Sequence, residues 1–110
     1  MDDLLSLADI KSAQSKLPEV IRTTPIVPVS RDAKEIGNET LFLKCENMQV
    51  TGAYKVRAAF TAMQTLSDAD RAGGIVVASS GNFAQAFAYA GRLMETPVAV
   101  VMLESTSPYN

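Results

Sequence analysis

The sequence has 110 residues, enough for one small domain or for part of a larger fold. Its formal charge is −2 and no basic run carries interleaved aromatics, so nucleic acid is not an expected partner. There is no His and one Cys, which excludes an intact Ser-His-Asp or Cys-His triad, an internal disulfide, and most zinc and haem sites.

The longest apolar runs, GGIVVA and VAVVML, are too short to span a bilayer, so no membrane partner is expected. The acidic start MDDLLSLADI is unlike a secretory signal, whose first residues are basic. With the lone cysteine, this predicts a cytoplasmic chain. Ser6 and Asp9 are spaced as a capping box, and Ile10, Ala13 and Leu17 recur at helical spacing before Pro18 stops the helix. TTPIVPV is extended, and Pro25 and Pro28 make it an edge or a strand end. SRDAKEIG reads as a short helix from Ser30 to a Gly37 stop. TLFLKCE reads as a strand in which Cys45 is a buried, inert thiol.

Thr51-Gly52 turns into a helix with an apolar stripe of Val56, Ala59, Phe60, Met63 and Leu66. After SDADRAGG, the wholly apolar IVVA predicts a strand buried on both faces. SSGN is a polar turn, FAQAFAYAGRLM a close-packing helix, and VAVVML a second strand after Pro97. This is a βαβ unit with two parallel strands, so the fold class is α/β. Ser107-Pro108 has the form of an N-cap followed by Pro at the first helical position. A helix announced there, beside a two-stranded sheet left uncovered, predicts that these residues are part of a larger fold.

Chemistry is expected at two places. ASSGN, residues 78–82, joins the carboxyl end of a parallel strand to a helix amino end, where free N–H groups and the dipole can bind an anion. It is neither a Walker loop nor a G-x-G-x-x-G fingerprint, so a nucleotide is not indicated. An ordinary turn with an Asn or Ser cap would use the same residues. The second place is Lys55, in the first turn of its helix. That end carries roughly half a positive charge and disfavours a cation, which suits an amine working as a nucleophile; a solvated surface lysine is the alternative.

Taken together, TGAYKVRAAF and ASSGNFAQAFA resemble two motifs of the fold type II pyridoxal-phosphate enzymes, T-G-S-F-K-x-R-G-A and S-S-G-N-H-A-Q-G. TPIVPVS, FLKCENMQ and TSPYN fit the same pattern, and the group most similar is that of the threonine/serine ammonia-lyases (dehydratases) and serine racemases. The resemblance runs from about Ser6 to the last residue and implies the N-terminal part of that fold: residues 1–66 from the large cofactor domain carrying the lysine, and residues 67–110 opening the small substrate domain.

It also implies pyridoxal 5'-phosphate as cofactor, held by Lys55, which later takes the substrate's α-proton. By the same resemblance Asn82 lies beside the cofactor's phenolic oxygen and Tyr54 flanks its ring. Ser79, Ser80, Gly81 and Asn82 hold the substrate carboxylate, and in the racemases the serine matching Ser80 handles the proton on the opposite face. The implied reaction is β-elimination of water from L-threonine or L-serine, then release of ammonia and a 2-oxo acid. An amino-acid racemase and a truncated, non-catalytic remnant are the alternatives. A homo-oligomer is implied for the full-length form, with no metal at the site. The family's Gly-rich phosphate loop is expected beyond these residues, so the 110-residue chain alone is expected to be inactive. Ala53, Tyr54, Ala58, Phe83 and Ala86 stand where the family pattern has Ser, Phe, Gly, His and Gly.

Overall fold

The computed structural model describes residues 4–29 and 41–108. Helix α1 spans Leu7–Ser15 and starts with the expected box: the Asp9 N–H donates to Ser6 Oγ at 3.2 Å, and the Ser6 N–H donates to Asp9 Oδ2 at 2.8 Å. Lys16 closes the helix just ahead of Pro18. Strands β1 (Ile26–Pro28) and β2 (Phe42–Lys44) form an antiparallel pair, with Ile26 opposite Lys44 and Pro28 opposite Phe42. Pro28 at a strand end agrees with its missing N–H. The helix expected over Ser30–Gly37 lies outside the described residues. Cys45 is half-buried just past β2, not buried within a strand, and its Sγ lies 3.7 Å from the Leu43 carbonyl.

A 3-10 turn at Glu46–Met48 leads through Gly52 to α2 (Lys55–Thr65). Gly52 has φ +74°, where a side chain would be strained. Val56, Ala59, Phe60 and Met63 of the predicted stripe are buried, whereas Leu66 falls past the helix end and is partly exposed. A short helix α3 (Asp68–Ala72), absent from the sequence reading, starts where the Asp70 N–H donates to Ser67 Oγ at 3.1 Å. The signal was present: Ser67 and Asp70 repeat the spacing of Ser6 and Asp9.

The predicted βαβ unit is formed by β3 (Ile75–Ala78), α4 (Asn82–Leu93) and β4 (Val98–Val101), with Ile75 beside Val98 and Ala78 beside Val101 in a parallel ladder. The core lies where α2 meets α4 and β3: Val56, Ala59, Phe60 and Met63 pack with Val77, Ala86, Phe87 and Ala90. Phe60 and Tyr89 meet edge to face at 6.4 Å between ring centroids. At Gly91 the helix presses on β4, since a Cβ there would come within 2.4 Å of Val98 Cγ2.

The expectation that IVVA is buried on both faces is corrected. Val77 is buried, but Val76 is 73% exposed and Ala78 is exposed. The cause is that α4 packs on β3 and β4 from one side, and no described element packs on the other. No helix among the described residues is long and apolar enough to cross a membrane.

Polar side chains hold the approach to α2. Arg57 grips Glu46 with two bonds, Nε to Oε2 at 2.9 Å and Nη2 to Oε1 at 2.8 Å. The Thr24 hydroxyl donates to the same carboxylate at 2.5 Å. Gln49, 3% exposed, accepts from the Arg22 N–H through Oε1 and donates to the Arg22 carbonyl through Nε2, both at 2.9 Å.

The Arg57 guanidinium, with help from Thr24 and against partial burial, holds the Glu46 carboxyl at about 2 rather than its usual 4.5. The folded pKa lies below the unfolded one. The pair therefore stabilises the fold above about pH 4.5, and that contribution is lost as pH falls toward 2. Thermal melts followed by circular dichroism should drop across this window, and Glu46→Gln should flatten the drop. A variant as acid-sensitive as the parent would assign the effect to other carboxylates, such as Asp9, which its bonds from Ser6 also hold low.

Candidate active site

Lys55 is the first residue of α2, and Tyr54 before it offers no side-chain cap. The amine is half-buried and makes no hydrogen bond or ion pair among the described residues. Its neighbours are two aromatic faces. Nζ lies 5.3 Å from the centroid of the Tyr54 ring and 5.3 Å from that of the Phe83 ring. Phe83 is the second residue of α4 and is itself held edge to face against Phe87 at 4.8 Å. The packing of α2 on α4 thus brings the two sequence motifs together at one nitrogen, although they lie far apart in the chain.

The loop between β3 and α4 has Ser80 and Asn82 exposed and keeps part of its donors free. Ser79 is fixed by its N–H to the Val101 carbonyl at 3.1 Å, and its Oγ accepts weakly from the Gly81 N–H at 3.4 Å. Among the described residues, Ser80 Oγ and the Asn82 amide have no partner, and the N–H groups of Asn82, Phe83 and Ala84 have no acceptor. The capping alternative fails for Asn82: the cap position is Gly81, and Asn82 is already helical. The loop therefore offers hydroxyl, amide and main-chain donors at the positive end of a helix, as anion binding requires. Among the described residues no hydrogen bond joins Ser79, Ser80 or Asn82 to Lys55, and Phe83 links the motifs through its ring.

Of the departures from the family pattern, Ala86 is fully buried in the core, and Ala58 lines an apolar groove of about 510 Å³ between α1 and α2. That groove is bordered by Ile10, Leu17 and Ala62 but by neither Lys55 nor the loop. Sequence reasoning missed the Glu46, Arg57, Thr24 and Gln49 cluster. Only the Glu46–Gln49 spacing within FLKCENMQ hints at it, because the partners come from separate segments.

The profile of the pyridoxal-phosphate dependent enzymes matches residues 17–110, and the chain belongs to that family. It is 37% identical over 102 residues to the catabolic L-threonine dehydratase of Staphylococcus aureus strain N315, covering 93% of this chain and 30% of that protein. It is 39% identical over 99 residues to the L-threo-3-hydroxyaspartate ammonia-lyase of a Pseudomonas species, covering 90% of this chain and 31% of that one. The crystal structure of serine racemase from Dictyostelium discoideum matches with a TM-score of 0.83 and 33% identity, over 96% of this chain and 34% of the other. The chain thus spans about 30% of the length of the curated relatives it matches. The fold is that of the fold type II pyridoxal-phosphate enzymes, and the family's cofactor is pyridoxal phosphate.

The residues present suit that cofactor. A primary amine is the group that condenses with its aldehyde, and this amine is flanked by two rings able to lie against a pyridine.

Proposed function

We propose that the chain is the N-terminal, lysine-bearing part of an enzyme that deaminates 3-hydroxy L-amino acids, L-threonine or L-serine, to a 2-oxo acid and ammonia. The observation that carries this reading is Lys55 Nζ held between Tyr54 and Phe83, one ring from each motif. Lys55 would hold pyridoxal phosphate through Nζ and, as a free amine, would remove the proton from the substrate Cα. When bound, pyridoxal phosphate supplies the electron sink for the charge left at Cα. Ser79, Ser80, Gly81 and Asn82 would hold the substrate carboxylate with loop donors, and Asn82 would also hold the cofactor at its phenolic oxygen. Tyr54 and Phe83 place aromatic faces beside the half-buried lysine nitrogen. Loss of the substrate's β-hydroxyl as water completes the elimination, and one water added to the imine form of the released enamine gives the 2-oxo acid and ammonia.

Two further points belong to this proposal. Residues 1–66 form the lysine-bearing part and residues 67–110 open the substrate domain, a division supported by the extended Leu66 between α2 and the Ser67 cap. The lone Cys45 fits a cytoplasmic enzyme. A second reading, an amino-acid racemase, is favoured by the likeness to the Dictyostelium enzyme. Ser80 Oγ, exposed and unpartnered among the described residues, would then carry the proton on the face opposite Lys55.

Borohydride reduction of the full-length polypeptide with pyridoxal phosphate, followed by peptide mapping, tests the site. The adduct is expected on Lys55; finding it on Lys11, Lys16, Lys34 or Lys44 instead overturns the assignment. Assaying 2-oxo acid against D-amino acid from L-serine then separates lyase from racemase.

A further inference from the structure

We propose that the Glu46–Arg57 pair positions Lys55, by fixing where α2 begins and hence where the amine stands; this rests on the cofactor reading above. Nothing local anchors that helix start. Tyr54 supplies no cap, and Gly52 and the half-buried Ala53 leave a loop whose own side-chain bond, Thr51 Oγ1 to the Ala53 carbonyl, is long at 3.3 Å. An uncapped first turn frays, and Lys55 is its first residue.

Arg57, two residues further on, supplies the missing anchor from outside the helix. Its forked contact with Glu46 fixes direction as well as distance, as a single hydrogen bond does not. The carboxylate cannot swing, because Thr24 holds Oε1 from the other side. Arg57 Nη2 also donates to the Arg22 carbonyl at 3.1 Å, which ties the helix start to a third segment. The loop leading to Lys55 is therefore clasped at both ends, by Glu46 before it and Arg57 after it. Arg57 and Glu46 make no contact with Lys55 itself, so both act through the backbone.

A misplacement of about 1 Å can cost on the order of 100-fold in reactivity. The experiment measures the rate at which borohydride traps pyridoxal phosphate at Lys55 in the full-length polypeptide, by peptide mapping. The parent is compared with Glu46→Gln, with Arg57→Lys, which keeps the charge but loses the fork, and with Val98→Ala on β4 as a destabilised control outside the groove that Arg57 borders. Each is held well below its own melting temperature.

Both clasp variants should trap at Lys55 about 10- to 100-fold more slowly, with Lys11 and Lys16 labelled as in the parent and Val98→Ala unchanged at Lys55. Folded clasp variants that trap Lys55 at the parental rate overturn the proposal. An equal loss in Val98→Ala also overturns it, because general stability would then account for the effect. A parent labelled elsewhere than Lys55 is a distinct result, and it removes the cofactor reading itself. Should Glu46→Gln fail to fold, Arg57→Lys decides the question alone.

Discussion

Lys55→Ala should abolish the visible absorption that pyridoxal phosphate acquires on the full-length enzyme and lower 2-oxo acid formation by about 1,000-fold or more. On the proposed reading one side chain is lost from two duties, covalent attachment and proton removal at Cα, and a positioned base alone contributes roughly 100- to 10,000-fold. Lys55→Arg should behave the same way, because it keeps the charge between Tyr54 and Phe83 but cannot condense with an aldehyde. Absorption spectra and a coupled 2-oxo acid assay read both effects. Turnover within tenfold of the parent in either variant would place the reactive amine elsewhere. The measurement belongs in the full-length polypeptide, since the chain spans about 30% of its relatives' length. Positioning by the whole site can supply about 7–11 kcal/mol of barrier lowering.

Gly91→Val should be the most damaging substitution of a single small residue in the core. Even the first carbon added there lies 2.4 Å from Val98 Cγ2 and 2.9 Å from the Thr96 carbonyl oxygen. The carbonyl is backbone and cannot rotate away, and the β-branched Val98 has few alternative rotamers. Overpacking of this kind costs about 1–3 kcal/mol and occasionally more. Better helix propensity returns at most about 1 kcal/mol for Ala and less for Val. Packing therefore wins, and a cost of about 3 kcal/mol is expected, enough to lower the melting temperature by about 10 °C or more in a chain of this size. Gly81→Ala is the control: nothing lies within 4 Å of its added carbon, so its melt should stay close to the parent's. Equal melts for the two variants would mean that α4 and β4 are not in the close contact described.

How much of this was legible in the sequence depended on the range of each interaction. The Ser6–Asp9 box, the α2 stripe and the strand–helix–strand rhythm from Ile75 to Val101 are local patterns, and all could be read directly. Helix α3 escaped because five residues with none buried leave no periodic stripe, only a cap. The exposure of Val76 escaped because an apolar run reports what a strand could bury, not what covers it. Both chemical motifs were visible as motifs, yet spacing could not say that Phe83 would come to stand beside Lys55; that follows from how α2 crosses α4. The Glu46–Arg57 clasp and the Gln49–Arg22 pairing were the least legible. Their partners are 11 and 27 residues apart in segments with no common period.

The Gln49 side chain also makes the fold sensitive to the exchange of a single atom. Its carboxamide stands in for a neighbouring strand, giving and taking one bond with the same residue, and it is nearly sealed from solvent. Hydrolysis of that amide exchanges a single nitrogen for oxygen. The donor to the Arg22 carbonyl then becomes an acceptor, and a bond becomes a repulsion between two oxygens in a place where neither can turn to water. The same damage at a surface amide would pass unnoticed. Gln49→Glu is therefore expected to loosen the approach to α2 and lower the melting temperature while leaving Lys55 chemically intact.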